Sequence, residues 1–159
     1  MYKILFVCAG NTCRSPMASI VFNKKIKDLA ISGVSSKSAG LSVTEENLMP
    51  QTKSVLKDYG IKRITQKPTQ ITINHLAENS IIICLTDDIK ETLQISVPEK
   101  FAQKIYSFKD FCGENISDPY GGDIGIYKRC LSQIEFGIDR IIEVLLGNGI
   151  AKQRKSKSV

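Results

Sequence analysis

The apolar positions of the chain switch between short unbroken runs and helical periodicity. Ile4-Leu5-Phe6-Val7 is a continuous apolar run, the pattern of a strand covered on both faces. Ser15 and Pro16 then open a helix, serine as its N-cap and proline in its first turn, and Ala18, Phe22, Ile26 and Leu29 give it an apolar face. Gly33 ends that region, Val34 to Ala39 reads as a second strand, and Gly40 as a turn. Leu41 to Pro50 is a loop. Pro50 starts a fresh helix with Val55, Leu56 and Tyr59 on one face and Gly60 as its stop. Ile61 to Thr72 is irregular, broken by Pro68, and a short helix is expected near Ile73 to Glu78.

Ile81-Ile82-Ile83-Cys84-Leu85 is the clearest later strand, apolar throughout and therefore central and parallel. Thr86 can cap the helix after it, with Asp87 and Asp88 in the favourable first turn and Pro98 near its end. A last short strand is expected around Lys104 to Ser107. The strongest periodic signal comes at the end: Tyr127, Leu131, Ile134, Ile138, Ile141 and Leu145 alternate spacings of four and three. That seam suits a helix packed on the sheet or a coiled coil, and the first is the expectation. Strands alternating with helices define a three-layer α/β domain with a parallel sheet.

The 159 residues suffice for one domain with a single core. It is expected to span 1–147, with no internal repeat and no second domain. The net charge of +6 is uneven, because Lys152, Arg154, Lys155 and Lys157 lie in 148–159 with no acid, and removing those four leaves +2 on the body. This basic tail is expected to be disordered and solvated. It has no aromatic residue, which argues against a nucleic-acid partner. No apolar run approaches a membrane span, and Ile4 to Val7 is too short for a signal peptide, so a cytoplasmic protein is expected. Five cysteines at irregular spacing argue against a disulfide framework, and the single His75 leaves no His/Cys metal set.

The candidate chemistry is concentrated in Cys8-Ala9-Gly10-Asn11-Thr12-Cys13-Arg14-Ser15-Pro16, between the first strand and the first helix. Cys8 emerges at the carboxyl end of a parallel strand, where open α/β sheets place ligands. Loop amides and the positive helix end converge there on one anion, Arg14 adds a fork matched to phosphoryl oxygens, and this field favours the thiolate of Cys8. The result is a nucleophile under a phosphate cradle. The loop lacks the second glycine and the lysine of a nucleoside-triphosphate P-loop, and it is no Gly-x-Gly-x-x-Gly turn.

This stretch resembles the signature of the low-molecular-weight protein phosphatases, and the match runs from Met1 to about Gly147. The resemblance implies a four-stranded sheet with helices on both faces. A thiolate attack on phosphorus also needs an acid for the leaving group and a base for water, which one carboxyl can supply in turn. Asp118, in Asp118-Pro119-Tyr120 ahead of Gly121-Gly122, looks like the general-acid loop of the same family. Asp87, Asp88 and Asp123 are rivals that helix starts explain. By resemblance, Asn11 holds the loop conformation, Ser15 stabilises the thiolate, Ser38 is bonded to the loop, and Cys13 pairs reversibly with Cys8 to protect it. Ala9, Gly10, Thr12 and Tyr120 complete the expected phosphate and substrate contacts. Gln66 stands where many relatives carry histidine, so the support of the loop is left open. Cys84 and Cys130 are expected in the core, and Cys112 is unassigned.

Four readings of function follow. Thr12 replaces the bulky aliphatic residue usual in the family's tyrosine phosphatases, Leu41 to Pro50 has no aromatic residue, and Tyr120 precedes Gly121 rather than a second aromatic. With the run Asp118 to Lys128, this resembles the protein-arginine phosphatase branch, and a phosphoguanidinium needs the hydrogen-bonding wall and carboxylate that Thr12 and Asp118 offer. A tyrosine phosphatase is the alternative. An arsenate reductase would need a resolving cysteine pair soon after the third strand, and a phosphoprotein-binding module would have lost Cys8 or Asp118. The expectation is a monomer acting on phosphorylated proteins with no cofactor, and with no metal, because Arg14 and the loop amides neutralise the phosphate.

Overall fold

The computed structural model describes residues 1–157, with side-chain surroundings given through residue 147. Four parallel strands, β1 (Tyr2–Cys8), β2 (Val34–Gly40), β3 (Ile81–Cys84) and β4 (Ile105–Ser107), form one sheet in the order β2-β1-β3-β4. The helices between and after them are α1 (Arg14–Asp28), α2 (Pro50–Asp58), α3 (Ile73–Glu78), α4 (Asp87–Ser96), α5 (Glu99–Ala102), α6 (Phe108–Cys112) and α7 (Ile124–Lys157). The step from β1 to β2 and the step from β3 to β4 run in opposite directions across the sheet. Right-handed crossovers therefore place α1 and α4 on opposite faces. Ile4 to Cys8 and Ile81 to Cys84 are buried, as strands covered on both faces must be.

The sheet changes its winding direction at β1, and such a switch point opens a crevice at the carboxyl ends of the strands. Cys8 is the last residue of β1 and pairs in register with Gly40, the last of β2. Gly40 is thus part of the strand, and the expected turn begins one residue later. No side chain fits there: a Cβ would approach the Ala9 carbonyl oxygen to 2.9 Å and Val43 Cγ2 to 2.9 Å.

Helix α1 departs from expectation at its start. Its N-cap is Cys13, with no side-chain cap, and Ser15 is already inside the first turn. The Ser15 hydroxyl is engaged elsewhere. Thr86 caps α4 as expected, accepting from the Ile89 N–H at 3.3 Å, and Pro50 sits in the first turn of α2. The short α6 was not anticipated. Ser107 and Asp110 form a capping box at its start and Gly113 closes it in a left-handed conformation, signals obscured by the apolar run just before.

The seam of α7 joins the core: Tyr127, Leu131, Ile134, Ile138 and Ile141 are buried with the residues of β1 and β3. The helix lies against α1, α2 and α6, which accounts for the seam without a coiled coil. Its backbone continues past position 147 to Lys157, through most of the stretch expected as a disordered basic tail, while the side chains of 148–159 lie outside the described residues. Among the described residues, no helix is long and apolar enough to cross a membrane.

Candidate active site

The loop after β1 turns sharply enough to require a left-handed residue, and Asn11 supplies it at φ 56°. The Asn11 side chain, 1 % exposed, then works in three directions. Its Nδ2 donates to Ser15 Oγ at 2.7 Å and to Ser38 Oγ at 3.0 Å, and its Oδ1 accepts from the Thr69 N–H at 2.9 Å. A buried amide with these bonds holds the loop, the end of β2 and the segment before α3 in one arrangement.

Gln66 completes this scaffold. Its Nε2 donates to Ser19 Oγ at 3.1 Å, and its Oε1 accepts from Ser38 Oγ at 3.4 Å. The question left open by the absent histidine has a structural answer: an amide provides the link between α1 and β2.

Ser15 Oγ lies 2.9 Å from Cys8 Sγ. Because Asn11 already donates to Ser15 Oγ, the hydroxyl hydrogen is free to point at the sulfur; the Ala39 carbonyl, at 3.5 Å, is the more distant competitor. Cys8 is 2 % exposed and forms part of a cleft of about 120 Å³ lined by Cys8, Gly10, Thr12, Cys13, Arg14, Thr44, Glu45, Asp118 and Tyr120. Among the described residues, no backbone N–H from Gly10 to Arg14 donates to a protein acceptor, so these groups remain available to an anion.

Arg14 is buried and aimed by a distant segment. Its Nη1 donates to the Ile116 carbonyl at 3.0 Å, and its Nη2 lies 3.6 Å from Asp118 Oδ2. The Asp118 side chain is half exposed, so this pair contributes orientation more than stability. Asp118 Oδ1 also accepts from the Tyr120 N–H at 3.1 Å, and the Gly122 N–H donates to the Pro119 carbonyl at 2.9 Å. Gly121, at φ 81°, occupies the turn position that demands a left-handed residue. Pro119 is buried, so the Asp118 carboxyl stands on a turn anchored in the protein body.

The sequence-derived candidates therefore meet in one place. Cys8, Gly10, Thr12, Cys13, Arg14, Asp118 and Tyr120 line the cleft, while Asn11, Ser15 and Ser38 lie behind it; Ala9 is exposed and accepts from the Ser42 N–H at 2.9 Å. Asp123, the nearest rival in sequence, caps α7 through the Ile126 N–H at 3.0 Å. The structure adds Thr44 and Glu45 at the rim, the Ile116 carbonyl behind Arg14, and Tyr127, whose hydroxyl lies 3.4 Å from Cys13 Sγ. None of these has a local motif; each is brought in by chain that folds back over the loop.

The remaining thiols are shielded. Burial pushes the Cys84 thiol far up, and burial pushes Cys130 up to about 12 despite the nearby Arg14. Cys112 is half-buried and is raised as well, chiefly by burial.

A thiol floor, a guanidinium wall and a carboxyl at the mouth suit phosphoryl transfer. The model of the low molecular weight phosphotyrosine protein phosphatase family matches residues 3–155. The chain belongs to that family. A protein-arginine-phosphatase from Geobacillus stearothermophilus is 34% identical over 148 residues, covering 91% of this chain and 96% of that protein. The solved YwlE arginine phosphatase from the same organism superposes with a TM-score of 0.85 at 33% identity, covering 95% of this chain and 97% of that one. A low molecular weight protein tyrosine phosphatase from T. tengcongensis gives a TM-score of 0.84 at 33% identity, covering 91% and 100%. The chain is thus a cysteine-dependent low-molecular-weight protein phosphatase that acts on phosphorylated proteins, with relatives of both arginine and tyrosine type.

Proposed function

We propose that this phosphatase hydrolyses phosphoarginine in proteins through a cysteinyl-phosphate intermediate. The carrying observation is the wall of the cleft. Thr12, Thr44, Glu45 and Asp118 make it polar and acidic, and Tyr120 is the one aromatic residue among those lining it. A phosphotyrosine ring would find one exposed face to stack on, whereas a phosphoguanidinium would find hydrogen-bonding partners. Thr12 is fixed by its own backbone, since its carbonyl accepts from the Met49 N–H at 3.2 Å and from Thr52 Oγ1 at 3.0 Å.

In this mechanism Cys8 Sγ attacks phosphorus, forming the S–P bond as the P–N bond breaks. Asp118, protonated, gives its proton to the leaving nitrogen. The resulting carboxylate then takes a proton from the water that attacks the cysteinyl phosphate, and phosphate leaves as the thiolate of Cys8 is regenerated. Arg14 and the loop N–H groups hold the equatorial oxygens through both steps, and the Ser15 hydroxyl stabilises the sulfur anion. Cys13, buried in the same loop, serves as the partner that takes an oxidised Cys8 into a reversible disulfide. The enzyme acts as a monomer in the cytoplasm, a compartment that suits five cysteines at irregular spacing.

The test is kcat/KM on matched peptides carrying phosphoarginine or phosphotyrosine, with Thr12→Ile alongside. A phosphoarginine preference that weakens in the variant upholds the reading. Equal or better use of phosphotyrosine by the unmodified enzyme returns it to tyrosine phosphatases, the reading favoured by Tyr120 at the rim.

A further inference from the structure

The cleft has two acidic side chains, and they are in different situations. Asp118 is committed: one oxygen lies near Arg14 and the other accepts from the Tyr120 N–H. Glu45 is exposed, and its carboxylate forms no ion pair or hydrogen bond among the described residues. It nevertheless lines the cleft that contains Cys8.

Its place there is set by the span between β2 and α2, which is tied down at both ends. The Ser42 N–H donates to the Ala9 carbonyl at 2.9 Å, the Val43 N–H to Gln70 Oε1 at 2.9 Å, and Gln70 Nε2 to the Leu41 carbonyl at 2.8 Å. At the far end Leu48 is buried and the Met49 N–H donates to the Thr12 carbonyl. Two of these anchors are residues of the Cys8 loop itself. Glu45 is carried by a short arch whose feet stand on the phosphate-binding loop, so its position relative to Cys8 is a property of the fold.

We propose that Glu45 is a specificity-determining residue, whose carboxylate accepts the guanidinium N–H groups of a phosphoarginine side chain with its phosphoryl group over Cys8. The inference rests on the phosphoarginine reading and names a residue for it. Asp118 must serve the bridging nitrogen during proton transfer and cannot also hold the remaining nitrogens. Glu45 supplies the second carboxylate, matching a planar cationic head by charge-assisted bonds. Against phosphotyrosine the same group is adverse: it faces an uncharged ring bearing a phosphate dianion, and like charges at the mouth oppose entry. One residue thereby favours the first substrate and rejects the second.

The experiment uses the full chain, with Glu45→Gln, Glu45→Lys and Glu45→Asp, assayed on phosphoarginine and phosphotyrosine peptides of the same flanking sequence. Glu45→Gln is expected to lower kcat/KM for the phosphoarginine peptide about five- to tenfold, mainly through KM, as fits one lost charge-assisted bond at a solvent-facing rim. The phosphotyrosine value should hold or rise, Glu45→Lys should exaggerate both changes, and Glu45→Asp should retain part of the preference. A selective loss that shrinks as salt is raised supports the proposal. Equal loss on both peptides, or no change on either, overturns it. If the unmodified enzyme prefers phosphotyrosine, the substrate reading fails by itself. Glu45 is then judged on the ratio alone: a shift further toward phosphotyrosine in Glu45→Gln upholds its discriminating role, and an unmoved ratio ends it.

Discussion

Gln66 shows how a side chain that never meets the substrate can govern the loop that does. It reaches Ser19 on α1 and Ser38 on β2, and Ser38 receives Asn11, which in turn fixes Ser15 beside Cys8. Gln66→Ala removes the only amide in that relay besides Asn11: Ser38 keeps Asn11 as its donor and Ser19 keeps the Pro16 carbonyl as its acceptor, but the link between the two serines is lost. The expected result is a fall of about tenfold in kcat with KM nearly unchanged and a stability loss of about 1 kcal/mol, the usual worth of such bonds. Gln66→His should restore most of the rate and bring a new inflection near pH 6.5, about where an imidazole titrates. An unaltered kcat in Gln66→Ala would show that Asn11 alone holds the loop. The sequence made Cys8, Arg14 and Asp118 legible because their spacing and neighbours are local. It could not reveal what Gln66 bonds to, since that depends on 61–72 returning alongside the end of β2, where Gln70 bridges Gly40.

At the scale of elements, the seam between β1 and β2 carries the site. Both strands end level, Cys8 against Gly40, and the arches that leave them press together at once. Gly40→Ala would force a methyl group against the Ala9 carbonyl and Val43. Overpacking of this kind costs about 1–3 kcal/mol, and here it displaces the phosphate-binding loop rather than inert core. Urea unfolding should show that loss, and Ki for inorganic phosphate and KM for substrate should rise with it; a destabilised protein with unchanged phosphate affinity would mean that the β2 side alone yields. Apart from the short α5 and α6, element identity was legible from apolar runs and periodicity, down to Ile73–Glu78 and the cap at Thr86. Boundaries were less so: Ser15 has the residue type of an N-cap, but its hydroxyl is drawn to the Cys8 sulfur, and Cys13 takes the cap position without a side-chain bond. A chemical demand overrode a local preference there.

For the whole molecule, the three-layer plan also sorts the thiols. Cys84 ends the central β3 and Cys130 lies on the buried side of α7, and burial keeps both protonated, with the Cys130 thiol pushed up to about 12. Thiolate is the reactive form, and a folded pKa raised by burial means these two stay unreactive through neutral and mildly alkaline pH. Iodoacetamide at pH 8 should therefore leave Cys84 and Cys130 unlabelled until the protein unfolds, while labelling of Cys8, on the proposed mechanism, abolishes activity and is prevented by inorganic phosphate. Early labelling of Cys84 in active protein would contradict the burial described. The sheet order itself was beyond the sequence, because parallel strands need no local turn to announce their neighbours. That order separates the parts of the site widely along the chain: Arg14 is aimed by a carbonyl 102 residues later, and Cys13 faces a hydroxyl 114 residues on. On the proposed mechanism, the nucleophile Cys8 is synthesised before the segments that aim Arg14 and supply Asp118. By that mechanism, a nascent chain that holds Cys8 but not yet Ile116 and Asp118 can neither turn over a phosphoprotein nor trap one by half of the reaction, and the enzyme becomes dangerous to its substrates only once it is whole.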